Sequence, residues 1–331
     1  MTTAAGLVVS PAVRKHAPAA FPANSLYPTI YHETWWLDIC AGGRIKEASI
    51  ERAGTTIARM PYMVGRHLGF VTCGAPPLVH FSGPAFAPMD SSPQTRMQSR
   101  NDLTRDLIAQ LPRHDQFSMK LYHGIADTLA FQREGFKTTV QFTFEVDPLP
   151  HDRLWAGIRR GHRRLIRDAE ATYAIDTAAK PSEFVDFYVA NIANAGKVFR
   201  FDQDLVARLI EACLARGRGL MLLARDASGV PKAGLFTMWD RERMYNFLGT
   251  KAHGRQEASA SVLLVWIAMQ EASERGLVFD FDGVFNAGRV QYFAGFGGSV
   301  SPRYLVTRAS KLARLTFGLH GLAKPASGQI Y

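Results

Sequence analysis

At 331 residues the chain is longer than one hydrophobic core ordinarily organises, so two domains are expected. Its 47% apolar content argues against a disordered chain, and no run reaches the roughly 18 apolar residues of a membrane-spanning helix. The net charge of +10 is uneven: residues 1–150 carry 14 Lys/Arg against 12 Asp/Glu and the remainder 25 against 17. The basic second half points to an anionic partner such as a nucleotide, CoA phosphates, tRNA or lipid headgroups, or else serves solubility alone. Cys40, Cys73 and Cys213 have neither metal-ligand nor disulfide spacing, and no charged-then-apolar leader opens the chain. A soluble cytoplasmic protein without a metal centre is expected.

Residues 1–24 are small, proline-containing and aperiodic, and read as a flexible arm. A short aromatic helix is expected at Tyr31–Cys40, with strands at Lys46–Arg52, Thr55–Tyr62 and His67–Thr72. Ala75–Ser92, dense in proline and glycine, is a loop covering a cleft or an interface. Asn101 can cap a helix through Leu111 that carries Leu103, Leu107, Ile108 and Leu111 on one stripe. A strand at Phe117–Tyr122, a helix at Asp127–Glu134 and an alternating strand at Thr138–Val146 complete a mixed α/β domain over 25–150. Pro148-Leu-Pro150 marks the boundary.

The second domain, 151–315, begins with a helix from Asp152 to about Tyr173. Trp155, Ile158, Leu165, Ile166 and Ala169 lie on one face; Arg159, Arg160, Arg163, Arg164 and Arg167 crowd the other. Like charges at this spacing repel, so the face suits a phosphate or carboxylate partner or pairs with acids of its own domain. Helices at Ser182–Asn194 and Asp204–Arg216 precede strands Gly219–Arg225, Lys232–Trp239 and Met244–Gly249. A loop at Lys251–Ala258, a helix at Ser259–Arg275 and an acidic strand, Leu277-Val-Phe-Asp-Phe-Asp-Gly-Val284, follow. Residues 316–331 form a tail.

That acidic strand organises the reading. Period-two alternation puts Asp280 and Asp282 on one face, opposite Phe279 and Phe281, before the glycine-punctuated segment Gly283–Gly298. Buried carboxylates are costly unless paired or used, so the strand end reads either as an active-site edge or as acids that cap a turn or hold an arginine.

The order strand, hairpin, strand, loop, helix, strand is that of a GNAT acyltransferase. Arg163-Arg-Leu-Ile166-Arg167-Asp-Ala169, Ala224-Arg-Asp226-Ala-Ser-Gly229 and Ala233-Gly-Leu-Phe-Thr-Met-Trp239-Asp240 with Tyr245 carry the resemblance. So do Ala260-Ser-Val-Leu-Leu264, Asp280-Phe281-Asp282-Gly283 and Tyr292-Phe293-Ala-Gly-Phe296-Gly297. Over residues 150–310 the chain resembles the Fem-type, BioF2-like branch of the GNAT superfamily, which includes peptidoglycan bridge aminoacyltransferases. The first half joins it through Pro61 and Phe81–Pro84. The resemblance implies an α/β (α+β) fold of two GNAT-like mixed-sheet halves facing across a cleft. Many Fem-like chains have Phe-Lys where this one has Tyr292-Phe293, and it lacks the long charged hairpin of tRNA-using members.

The activity implied is transfer of an acyl group from acyl-CoA to an amine of a polar metabolite, sugar or peptide by direct attack. An aminoacyl-tRNA-dependent transferase and a non-catalytic binding module are the alternatives. GNAT enzymes cradle the CoA pyrophosphate at a helix start, where small residues admit the backbone and the dipole favours anions. Arg255, Gln256, Ser259, Ala260 and Ser261 occupy that place, without the usual glycines. Asp282 is expected as the base, Asp280 as support for the following loop, and Tyr245 as the acid. Arg163, Arg167, Arg289 and Tyr292 are assigned to the substrate. His162 falls on the apolar helix face and is assigned to packing.

Overall fold

The computed structural model describes residues 21, 25–254, 257–283 and 287–319. The arm and the end of the tail lie outside these, as do Arg255 and Gln256. In chain order, α1 (Thr34–Ala41) is followed by β1 (Ile45–Arg52), β2 (Thr55–His67), β3 (Phe70–Gly74), the two-residue β4 (Ala85–Phe86) and α2 (Pro93–Ala109). Next come β5 (Gln116–Lys120), α3 (Leu129–Arg133), β6 (Lys137–Val146), α4 (His151–Gly157), α5 (Arg160–Glu170), β7 (Ala174–Asp176), α6 (Pro181–Asn194) and α7 (Gln203–Ala215). Then follow β8 (Gly219–Arg225), β9 (Pro231–Trp239), β10 (Arg243–Lys251), α8 (Glu257–Glu274), β11 (Val278–Asp280), α9 (Ala287–Ala294), β12 (Ser299–Ala309) and α10 (Lys311–Leu319). The protein is of mixed α/β class.

Two compact units emerge. One holds residues 146–281 and 291–298; the other holds the described residues of 22–145, 282–290 and those from 299 on. The last of these departs from a simple boundary at 150. β12 pairs antiparallel with both β5 and β6, which draws the late strand into the unit built mainly by the first half.

In the first-half unit, β1–β2–β3 is an antiparallel meander and β3 runs parallel to β5. β2 and β3 are one hairpin about Leu68 (φ 48°) and Gly69 (φ 83°), so the expected strand at His67–Thr72 straddles a turn. α2 begins at Pro93, eight residues before the expected cap. Ser92 is the N-cap, its Oγ accepting from Thr95 N at 3.2 Å, and proline at the first helical position needs no donor. α2 packs on β1, β2 and α3 over a core that includes Met60, Leu107, Phe117, Phe131 and Val306. The alternation of β6 is present, yet Val140 and Phe142 are exposed on its apolar face while Thr143 is buried.

In the second-half unit, β7–β8–β9–β10 is antiparallel and β11 joins β10 in parallel. α8, apolar nearly all round, packs on β8, β9, β10 and β11 and on α5. A helix buried on every side must be apolar on every side. The helix expected from Asp152 to Tyr173 is broken: Ile158 is extended (ψ 131°), and Arg159 N donates to Gly295 O at 2.9 Å instead of continuing the helical ladder. A tertiary hydrogen bond thus replaces a local one.

Candidate functional site

The ladder between β10 and β11 is short. β11 pairs with β10 only through Arg243↔Val278, Met244↔Phe279 and Tyr245↔Asp280. β10 continues to Lys251 against β9, with an irregularity between Asn246 and Leu248. The ladder to β11 stops because β11 ends at Asp280, and Asp282 takes a left-handed φ of 60° with Gly283 at 118°. Beyond Tyr245, β10 runs on to Lys251 without a register partner in β11.

β10 ends at Lys251 and α8 begins at Glu257. Ala252 N donates to Lys232 O (2.8 Å), and Lys251 Nζ reaches Gly254 O (3.3 Å). The first turns of α8 carry Ser259, Ala260 and Ser261, with Ala260 fully buried. The Tyr173 phenol meets the Ser259 hydroxyl; burial and then the Glu257 carboxylate push its pKa up. Ser261 Oγ lies 3.0 Å from the Tyr292 hydroxyl. Two serine–tyrosine pairs therefore converge on the helix start.

Tyr292 sits on α9, inside the segment expected to be a glycine loop. His162 Nε2 is 3.0 Å from Tyr292 O, and the His162 ring meets Phe296 edge-on at 4.7 Å. Burial pushes the His162 pKa down, in keeping with packing. A Cβ at Gly295 would stand 2.4 Å from the His162 ring, so any larger residue there must displace that ring. Arg289 lies on the same helix and is half-buried. Arg163 on α5 is half-buried, while Arg167 is exposed with its guanidinium 5.5 Å from the Trp155 ring.

Tyr245 is enclosed. Its hydroxyl donates to Asp240 Oδ2 at 2.7 Å, and Asp240 Oδ1 accepts from Glu242 N and Arg243 N at 2.9 Å each. Burial, then Asp240 and Asp280, push the phenol well above its ordinary range. The hydroxyl is a fixed donor within the core that ties the β9–β10 turn to β10. Asp280, fully buried, is its register partner.

Asp282 belongs to the other unit, and the expectation that it shares a strand face with Asp280 does not hold: the period-two pattern ends with β11. Its Oδ2 is hydrogen-bonded with His80 Nδ1. Gly283 N donates to Thr143 Oγ1 (3.1 Å), which holds the turn. His80 is buried, its ring stacked on Tyr31 at 5.7 Å. Its loop is clipped down by Ser82 N to Lys120 O and Tyr122 N to Ser82 O, each 2.9 Å. A buried acid–imidazole pair on a strained, non-glycine backbone is a feature that clusters at functional sites. Sequence reading missed His80 because 202 residues separate it from its partner. The available signal was a histidine set between apolar residues in the proline- and glycine-rich loop.

Among the described residues, no group of three or more His, Cys, Asp or Glu is placed to hold a metal ion, and no helix is long and apolar enough to cross a membrane.

Residues 153–292 match the family described as acetyltransferase (GNAT) domain. No curated protein sequence matches the chain. Among solved structures, it is similar to FemX (TM-score 0.64, 12% identity, covering 93% of this chain and 96% of that one). It is also similar to L-PGS from Bacillus licheniformis (0.52, 12%, 87% and 91%). A third is a conserved protein of unknown function from Bacteroides thetaiotaomicron (0.50, 10%, 82% and 90%). At such identities the likeness is one of fold.

Proposed function

We propose, for an acyltransferase whose residues 153–292 are a GNAT acetyltransferase domain, that the protein moves an acyl group from acyl-CoA onto an amine of a polar metabolite, sugar or peptide. The observation that carries this reading is the end of the β10–β11 ladder at Tyr245↔Asp280, with α8 the next element after β10 in the chain. Backbone N–H groups along β10 beyond that pair are suited to polarise a thioester carbonyl and hold the tetrahedral oxyanion. The start of α8 offers the positive end of a helix dipole and small side chains at 259–261, which fit a pyrophosphate. Arg255 and Gln256 precede it in sequence and complete the donor site in this reading.

Ser261 and Tyr292 position one another next to the donor, and Arg289 takes part in holding the acceptor. Tyr245 acts by fixing β10 through Asp240, so its effect on catalysis is one of position. Asp282, with His80 against its carboxylate, takes a proton from the acceptor's ammonium and so frees the amine that attacks; Asp280 supports the turn that follows. Attack is direct: the amine nitrogen bonds to the carbonyl carbon, the C–S bond breaks with its electron pair on sulfur, and the proton the nitrogen then gives up balances the one that turns the departing thiolate into the thiol.

A second reading, transfer from aminoacyl-tRNA, rests on α5, where Arg164 and Arg167 are exposed and Arg164 meets Asp168 only at 3.7 Å. Both readings place the protein in the cytoplasm. Calorimetry with CoA and filter binding with bulk tRNA separate them. The first predicts saturable CoA binding that weakens with salt and on Arg255→Ala, with thiol release from acetyl-CoA in the presence of an accepted amine. Binding of tRNA without CoA binding would replace the first reading by the second.

A further inference from the structure

The first-half unit contains a cleft of about 200 Å³ that the transfer chemistry does not use. It lies between α2 and the segment joining β5 to α3. Phe86, Ile125 and Phe131 give it an apolar floor, and Arg96, Arg100 and Asn101 line it from α2. The two arginines are one turn apart on a single helix face.

Both are already placed. The Arg100 guanidinium lies 5.4 Å from the centroid of the Phe86 ring, and Arg96 Nη2 donates to Ser91 O at 2.9 Å. Neither has a carboxylate partner among the described residues, whereas Arg59, Arg225, Arg275 and Arg303 are each ion-paired. The acid at the cleft, Asp127, has Oδ1 engaged by Leu129 N at 3.0 Å. Two pre-placed forks of N–H donors above an apolar floor complement an oxyanion joined to an apolar body, because guanidinium geometry matches carboxylate and phosphate. A volume near 200 Å³ matches a phenyl ring with a short chain, since an apolar cavity of about 150 Å³ accommodates benzene.

We propose that this cleft is a binding site for a small amphipathic oxyanion, a carboxylate or phosphate carried on an aromatic or short aliphatic body. The test is calorimetry and methyl NMR on the full chain with 3-phenylpropionate, phenyl phosphate and the neutral 3-phenylpropanol. One of the two anions should saturate with a Kd of about 1 mM or tighter, and the tighter one names the headgroup. Arg100→Gln should weaken it at least tenfold, and Ile125→Trp, which fills the floor, should abolish it. Arg96 and Arg100 are exposed, so their variants keep the fold, which far-UV circular dichroism checks. Failure of both anions to saturate overturns the proposal. So does equal affinity for the alcohol, or anion binding unchanged in the Arg96→Gln, Arg100→Gln double variant.

Discussion

Asp280 and Asp282 stand two residues apart and meet different surroundings. Asp280 is register-paired with Tyr245 in the buried part of the β10–β11 ladder; Asp282 lies past the end of that ladder, in a left-handed turn, against His80. Asp280→Asn is therefore expected to lower stability by about 1–3 kcal/mol in chemical denaturation, the cost of disturbing a buried polar group. Asp282→Asn keeps shape but removes the base, and should cut turnover roughly a hundredfold while CoA affinity is unchanged. Wild-type turnover across pH in that variant would make the His80–Asp282 pair purely structural. His32 supplies a separate test. It is wholly buried, bonded to Thr29 Oγ1 (2.8 Å) and Gly83 O (3.3 Å), and burial followed by the nearby Arg59 charge pushes its pKa down to about 3. Below pH ~6.5 the unfolded chain binds a proton here that the folded chain refuses, so this residue costs stability as pH falls towards 3. Between pH 7.5 and 5, His32→Gln should lose about 2 kcal/mol less than wild type.

At the scale of elements, periodicity located those whose partners are near in sequence. β8 stands at Gly219–Arg225 as expected, and α6, α7, β9, β10 and α8 lie within a few residues of their expected limits. β12 was not legible: its polar alternation is interrupted by Pro302, and its partners lie in the first half. α9 was hidden because Gly288 within it and Gly295 just past its end read as loop; the second of these packs against the His162 ring. Gly295→Ala should lower the melting temperature, with a loss of about 1–3 kcal/mol, since the buried His162 ring must shift. On α5, changing Arg163 and Arg167 to Gln leaves Ile166 and Ala169 buried and the fold intact. Under the acyl-CoA reading these changes reduce turnover; under the tRNA reading they also lower the salt dependence of RNA binding. Unchanged turnover and RNA binding would make them a solvated face.

For the whole molecule, the three cysteines offer a direct check. All are free and buried, and burial pushes the Cys73 thiol up to about 11. A thiol reagent should label none in the native protein and all three in denaturant, because only accessible thiolate reacts. Rapid native labelling would contradict the packing of Cys40, Cys73 or Cys213.

The sequence by itself determined the class of the fold, the order of elements from α6 to β11 and the resemblance that residues 153–292 bear out, because helix and strand periods and turn residues are local signals. Only the tertiary structure decided that β12 completes the first-half sheet, that the basic helix breaks at Arg159, that Tyr245 is committed to Asp240, and that Asp282 meets His80. Each of these is settled by hydrogen bonds, most of them between groups distant in sequence. The cost of leaving such a group unsatisfied outweighs the small preferences by which a local pattern is read.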